Sequence, residues 1–227
     1  MTEPDADIAA RRAALIEAAL AYAPFDGMNE RALLAGAAEL GIAPDLARVL
    51  VPGGVGLAAA YHRGLDARLA EWLAAAPPEG RFRDRITAAV LHRLALSDRE
   101  LVRAGAATLA LPAHAGLAAR LMGETADVIW SGLGDASRDV NWWTKRGILA
   151  SVLAATVLYW LGDDSEDMAD TRAFLDRRIE GVMRFEKAKA QLARLPGAAH
   201  LARAATGWIH APGPRDLPGG WRPGEIV

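Results

Sequence analysis

One uncharged stretch in the middle of the chain constrains the fold most strongly. Between Gly147 and Gly162 the sequence contains no charged residue. This run is shorter than the roughly 20 apolar residues that a transmembrane helix needs, so it predicts a buried helix. A helix that is apolar on every side needs neighbours on every side. The stretch 137–161 therefore predicts a central helix, a subunit interface or the wall of an apolar cavity.

The residues just before this run combine two adjacent tryptophans with charge. At about 100° per residue, Asp139 and Arg146 share nearly one azimuth of a helix. Trp142 and Trp143 flank that azimuth, and two adjacent indoles cannot both point into one core. We therefore expect at least one indole at the surface, where Trp beside Arg is typical of an interaction hot spot. The alternative is that both indoles pack under a loop while Asp139 caps the helix.

Composition excludes several classes of function. The 227 residues include no cysteine, which excludes disulfides, zinc–thiolate sites and thiol catalysis. A formal net charge of −2 argues against non-specific nucleic-acid binding, which needs a basic excess. The first dozen residues are acidic and have no apolar core segment, unlike a secretory signal or a transit peptide. We therefore expect a cytoplasmic protein.

Helical periodicity covers most of the chain, and no convincing strand pattern occurs, so the sequence predicts an all-α fold. Pro24 is expected to end the first helix, and a turn at 52–56 is expected to precede the fourth. The predicted helices cover 7–22, 29–41, 44–51, 57–75, 81–96, 97–112, 114–132, 137–161 and 165–194.

The N-terminal helices have the layout of a helix-turn-helix. The first sixty residues resemble the N-terminal module of TetR-type regulators. The expected recognition helix offers only Arg48 as a base, next to Asp45, whereas a DNA reader needs clustered Lys and Arg. We therefore predict a helix-turn-helix-like module at 1–56 that does not bind DNA, followed by a helical ligand-binding and dimerisation domain at 57–195.

A Pro-Gly break at 196–197 precedes a short amphipathic segment, predicted as a membrane-contacting helix at 196–210. Its apolar face would consist of Leu201, Ala205, Trp208 and Ile209. The alternative is a C-terminal helix docked on its own domain. Residues 211–227 are too rich in Pro and Gly to fold alone, which predicts a disordered tail.

No pattern in the sequence points to catalysis. The five histidines are scattered without metal-ligand spacing, so a metal site is not expected. The acids at 163–170 are explained by helix capping and the helix dipole. Residues 54–59 loosely resemble a dinucleotide fingerprint, but no strand precedes them, which favours a turn. We expect no catalytic residue and no cofactor.

The stretch 135–192, DASRDVNWWTKRGILASVLAATVLYWLGDDSEDMADTRAFLDRRIEGVMRFEKAKAQL, carries a family resemblance. It resembles the C-terminal half of the ubiquinone-biosynthesis accessory proteins that are ninth in the Coq series, and the likeness extends over nearly the whole chain. Its most specific parts are Asp139-x-Asn141-Trp142, Lys145-Arg146, Asp164-Ser165-x-Asp167 and Phe174-Leu175-Asp176.

The resemblance implies a TetR-like all-α homodimer that binds isoprenoid or quinone lipid and presents it to the di-iron demethoxyubiquinone hydroxylase. The implied hydroxylase-binding patch maps onto Asp139, Asn141, Trp142, Trp143 and Arg146. Trp143 stands where the family commonly has Tyr. Candidate residues for the lipid pocket are Met122, Ile129, Trp130, Leu153, Val157 and Trp160.

Two further expectations follow from this resemblance. The protein would lie in the bacterial cytoplasm, peripherally associated with the inner membrane, and would act without being an enzyme. The competing hypothesis is a TetR-type ligand-responsive transcriptional repressor, which would share the fold and the apolar pocket.

Overall fold

The computed structural model describes residues 3–138 and 140–192. That part of the chain consists of helices joined by loops and turns and contains no strand. This confirms the predicted all-α class. Two short 3₁₀ turns, Pro112–His114 and Glu166–Met168, precede the seventh and ninth helices. The helices are α1 Glu3–Asp26, α2 Glu30–Glu39, α3 Pro44–Leu50, α4 Gly53–Ala75, α5 Phe82–Ala95, α6 Arg99–Leu109, α7 Ala115–Gly132, α8 Val140–Trp160 and α9 Ala169–Leu192.

Backbone packing groups the described helices into two compact units. The first contains the described residues up to Arg68 together with Ala95–Leu121, and the second contains Leu69–Leu94 together with the described residues from Met122 onward. Both units are therefore discontinuous in sequence. The predicted boundaries at residues 56 and 195 stay predictions.

The first unit is built on close packing of α1, α2 and α3. Its fully buried side chains include Leu15, Met28, Leu33, Val51 and Leu57. Asn29 caps α2 by accepting a hydrogen bond from the N–H of Ala32 at 3.1 Å. A Cβ built on Gly36 would lie 2.5 Å from the backbone nitrogen of Ala19, so only glycine allows this approach of α1 and α2.

The second unit has its own apolar core, with contributions from each of its helices. The ring of Trp72 stacks on His92 with centroids 4.0 Å apart. None of the helices in the described part of the chain is long and apolar enough to cross a membrane. The core residues include Leu69, Leu73, Val90, Ile129, Leu153, Trp160 and Leu175.

Two predicted boundaries in the first unit are wrong. Pro24 lies inside the last turn of α1, and the helix ends instead before Gly27, whose φ is +83°. Pro24 has no backbone N–H to donate to the carbonyl four residues earlier, so this turn of α1 lacks one helical hydrogen bond. The predicted turn at 52–56 is largely helical, since α4 already begins at Gly53.

Two boundaries in the second unit also differ from prediction. Helix α8 begins at Val140 and not at Ser137, because the Ser137 hydroxyl is bound to Asp135 at 2.8 Å in the preceding loop. Helix α9 begins at Ala169 and not at Ser165. A 3₁₀ turn lies between, with positive φ at Asp167 (52°) and Met168 (56°).

Candidate functional site

The most elaborate polar network in the second unit surrounds Arg146, in the second turn of α8. Its Nε donates to Asp127 Oδ1 on α7 at 2.5 Å, and its Nη1 donates to Asp135 Oδ2 in the α7–α8 loop at 3.1 Å. The side chain is only 7% exposed. A guanidinium buried to this extent needs paired carboxylates, because an unpaired buried charge is strongly destabilising.

Asp135 is the acceptor that joins the two basic residues of the network. Its Oδ1 receives Lys145 Nζ at 2.7 Å and the Ser137 hydroxyl at 2.8 Å, while its Oδ2 receives Arg146. Burial of this carboxyl by itself raises its pKa, but the hydrogen bonds from Lys145, Ser137 and Arg146 outweigh burial and lower the pKa to about 2. Asp135 therefore stays ionised at neutral pH.

The two tryptophans lie directly against this network. The Arg146 guanidinium stands 4.1 Å from the ring centroid of Trp142, within the range of a cation–π contact. The rings of Trp142 and Trp143 meet edge to face, with centroids 4.7 Å apart and planes at 78°. Trp143 is 48% exposed. One indole is thus at the surface, as expected, although the partner-binding role of these residues stays a prediction.

Sequence reasoning found part of this site. Asn141 is exposed, and Asp139 lies outside the described residues. Arg146 was expected to face a partner, but it is buried against Trp142. The acids Asp127 and Asp135 were missed. The available signal was the position of Arg146 at the border of an uncharged run, where a buried cation needs acids from a neighbouring segment.

The residues predicted to bind lipid are placed in the second unit, with three of them buried in its core: Ile129, Leu153 and Trp160. Trp130 is half-buried and donates through Nε1 to the backbone oxygen of Lys145 at 3.2 Å. None of the six candidates lines the groove of about 370 Å³ that lies along α8 and α9. Their assignment to a lipid pocket stays a prediction. The groove is lined by Ile148, Ser151, Val152, Ala155, Arg177, Arg178, Gly181 and Val182.

In the first unit, Arg48 is the basic residue of the expected recognition helix, and it is already paired with two acidic side chains. Arg48 Nε donates to Glu30 Oε1 at 2.7 Å and Nη1 donates to Asp45 Oδ1 at 2.9 Å. The hydrogen bond and charge of Glu30, together with Asp45, raise the pKa of Arg48. Exposed apolar residues, Leu46 and Val49, share this helix. Its surface is therefore poorly suited to contact phosphates.

Comparison with known proteins identifies the segment that contains the tryptophan pair. Residues 115–186, from the start of α7 into α9, match the COQ9 family model. The matched segment contains Asp127, Asp135, Trp142, Trp143 and Arg146. The predicted family resemblance is confirmed as a similarity of this segment to the COQ9 family.

Full-length relatives extend the likeness over most of the chain. It is 30% identical over 194 residues to the "Ubiquinone biosynthesis protein COQ9, mitochondrial" of Drosophila melanogaster, covering 82% of this chain and 59% of the relative. The Homo sapiens protein of the same name is 27% identical over 179 residues, covering 74% of this chain and 56% of the relative. The chain therefore spans somewhat under three fifths of the length of these relatives.

A solved structure has the same fold. The TetR transcriptional regulator from Nitrosomonas europaea matches with a TM-score of 0.58, covering 75% of this chain and 97% of the regulator. At 19% sequence identity, this likeness concerns the fold alone. It confirms the predicted TetR-like fold.

One expectation is overturned by the comparisons. The COQ9 relatives from Drosophila melanogaster, Xenopus tropicalis and Homo sapiens are all named as mitochondrial proteins. The prediction of a protein in the bacterial cytoplasm, peripheral to the inner membrane, is therefore wrong. Its cytoplasmic part rested on the acidic composition of the first dozen residues, which does not decide the compartment.

Proposed function

We propose that this chain acts in ubiquinone biosynthesis as a non-enzymatic accessory protein. It binds an isoprenoid or quinone-type lipid and presents it to the di-iron demethoxyubiquinone hydroxylase. The observation that carries the proposal is the match of residues 115–186 to the COQ9 family model, since the related proteins are named for ubiquinone biosynthesis. The names of these relatives state a pathway and no reaction, in keeping with an accessory role.

The tryptophan pair supports the docking part of the proposal. A half-exposed indole beside an exposed amide and a rigid cationic base has the composition of a hot spot, where a few anchors dominate binding energy. Trp143 would insert into the hydroxylase, with Asn141 at its edge and Trp142 as its support. Trp143 in place of the family's Tyr offers more stacking area and no hydroxyl.

The apolar character of α8 supports the lipid part of the proposal. A polyprenyl tail gains about 25 cal/mol per Å² when it moves from water to an apolar wall. The groove along α8 and α9 is open to solvent, and its apolar lining comes from Ile148, Val152, Ala155 and Val182. Such a protein would lower the barrier to lifting a membrane-buried head group towards an enzyme, with no catalytic residue of its own.

The proposal also includes a homodimer and contact with a membrane surface. Leu158 is 69% exposed and Tyr159 is 38% exposed on the apolar helix α8, which favours a covering partner. The membrane contact would be made by Leu201, Ala205, Trp208 and Ile209, which lie outside the described residues.

The decisive test of the lipid part is mass spectrometry of organic extracts from the purified protein. We expect a copurifying isoprenoid or quinone. Extracts that contain only the phospholipids of the expression host, in the proportions of its membranes, would contradict the proposed cargo.

The docking part is tested by pull-down of the hydroxylase. Trp143→Ala should weaken capture, whereas Phe25→Ala should not, since Phe25 is 90% exposed but belongs to the other unit. An equal loss of capture in both variants would point to non-specific binding by exposed aromatic residues. Unchanged capture with Trp143→Ala would reject the docking patch.

The second candidate, a ligand-responsive transcriptional repressor, has the fold in its favour. The pairing of Arg48 with Glu30 and Asp45 speaks against it, because phosphate contacts need unneutralised cations. A gel shift on duplex DNA at several salt concentrations separates the two. Salt-dependent binding by the whole chain would favour the repressor.

A further inference from the structure

We propose that Asp135 is a positioning residue that sets how the indoles of Trp142 and Trp143 are presented at the protein surface. The geometric part of this inference stands by itself. Its consequence for partner docking rests on the proposed function.

The first link joins Asp135 to Arg146. Two carboxylates hold this guanidinium, but the side chain of Asp127 is 42% exposed whereas that of Asp135 is 5% exposed. Water screens the exposed pair far more than the buried one, so Asp135 contributes the larger share of the restraint. Its Oδ2 fixes Nη1 of Arg146, the same nitrogen that lies 3.4 Å from the backbone oxygen of Trp142.

The second link runs from Arg146 to the indoles. The guanidinium is planar and stands 4.1 Å from the Trp142 ring centroid, so its orientation limits the orientation of that ring. The ring of Trp142 in turn meets Trp143 edge to face at 4.7 Å. Trp143 is 48% exposed, and the Trp142 ring is a direct contact of its covered part.

A parallel link fixes the backbone from which both indoles project. The other oxygen of Asp135 receives Lys145 Nζ at 2.7 Å, and the same ammonium stands 5.0 Å from the ring centroid of Trp130. Trp130 Nε1 donates to the backbone oxygen of Lys145 at 3.2 Å. One carboxylate therefore restrains two consecutive residues of α8, one turn after the tryptophans.

The inference is tested with Asp135→Asn in protein labelled with 5-fluorotryptophan. Fluorine NMR then reports on each of the seven tryptophans, and the Trp142→Phe and Trp143→Phe variants assign the two resonances of interest. The matched control is Asp163→Asn, because Asp163 is also a buried, hydrogen-bonded carboxylate of this unit and its hydrogen-bond partners include Ser165 and Thr171.

We expect Asp135→Asn to shift both assigned resonances by more than a linewidth, while Asp163→Asn leaves them in place. Unchanged resonances with Asp135→Asn would overturn the inference. A shift of equal size in the control would overturn it as well, because general loosening would then explain the effect. Should Asp135→Asn fail to fold, Arg146→Lys keeps the charge but loses the planar contact, and it must shift the Trp142 resonance.

Hydroxylase capture distinguishes this inference from the proposed function. If both hold, Asp135→Asn weakens capture about tenfold, as Trp143→Ala does. If the resonances shift while neither variant changes capture, the positioning role stands and the docking function fails. If Trp143→Ala weakens capture but the resonances do not respond to Asp135→Asn, the docking function stands and the positioning role fails.

Discussion

The carboxylate of Asp163 accepts two hydrogen bonds from Thr171, one from the backbone N–H at 2.8 Å and one from the hydroxyl. Its other oxygen accepts the N–H and the hydroxyl of Ser165. One buried side chain thereby satisfies the backbone at the start of α9 and fixes the turn that follows α8. Asp163 is thus a capping acid of this segment, and its side chain is buried.

Replacement of Asp163 should therefore lower the melting temperature more than replacement of Asp164 does. Asp163→Asn is expected to lower the melting temperature, because an amide cannot accept all four hydrogen bonds. Asp164→Asn, at an exposed position, is the control and should change it little. Thermal unfolding followed by circular dichroism measures both. Equal melting temperatures would show that Asp163 is dispensable.

Stability should fall in acid for a defined reason. The pKa of Asp135 is lowered to about 2, so the unfolded chain, with an ordinary Asp pKa of about 3.9, binds the proton more readily than the folded one. The contribution of Asp135 is therefore complete above pH ~4 and is lost as pH falls towards 2. Hydrogen bonds from Ser165 and Thr171 lower the pKa of Asp163 as well, in the same direction.

Urea unfolding at a series of pH values measures this effect. The free energy of unfolding should decline below pH ~4, and Asp135→Asn should reduce the decline. An identical acid slope in the variant would mean that other carboxylates account for it.

Two glycines of α4 should respond oppositely to alanine. A Cβ on Gly54 would lie 2.1 Å from the backbone oxygen of Met28, so Gly54→Ala should lower the free energy of unfolding by about 1–3 kcal/mol or prevent folding. Gly64 is exposed with open space around it, so Gly64→Ala should raise that free energy by about 0.5–1 kcal/mol. Denaturant titration compares them, and equal effects would show that the close approach at Gly54 is not restrictive.

Two tryptophans of α8 should differ in how much their replacement by alanine lowers the free energy of unfolding. Trp160 is 4% exposed, and Trp160→Ala should lower the free energy of unfolding by about 3–5 kcal/mol. Trp143→Ala, at a half-exposed position, should lower it by only about 0.5–1.5 kcal/mol, the size of one edge-to-face aromatic contact. A large loss of stability with Trp143→Ala would indicate that the indole is structural and would weaken its role as a docking anchor.

The sequence predicted the helices well because their periodicity is local. The capped starts of α2 at Asn29 and α6 at Asp98 depend on residues within one turn, as do most helix ends. The errors occurred where distant contacts override local preference. Gly54, for example, lies inside α4, where the backbone of Met28 packs closely against it.

The candidate site was predicted only in part for the same reason. The tryptophan pair is visible as a pattern, since adjacent indoles and charge stand together in the chain. The burial of Arg146 is not visible in the sequence. It depends on Asp135 and Asp127, which lie 11 and 19 residues earlier in the chain. Asp135 lies in a loop and Asp127 lies on α7, so no periodicity within one helix connects them to Arg146, and only the fold of the α7–α8 hairpin brings them together.

The network around Arg146 is closed within a single short hairpin. Its side-chain members all fall between Asp127 and Arg146, so the indoles are held by residues of the segment that displays them. The segment should therefore keep the arrangement of its surface side chains when it is grafted onto another helical hairpin of equal loop length. Homologous chains could also diverge freely in their other helices while the displayed surface stays the same.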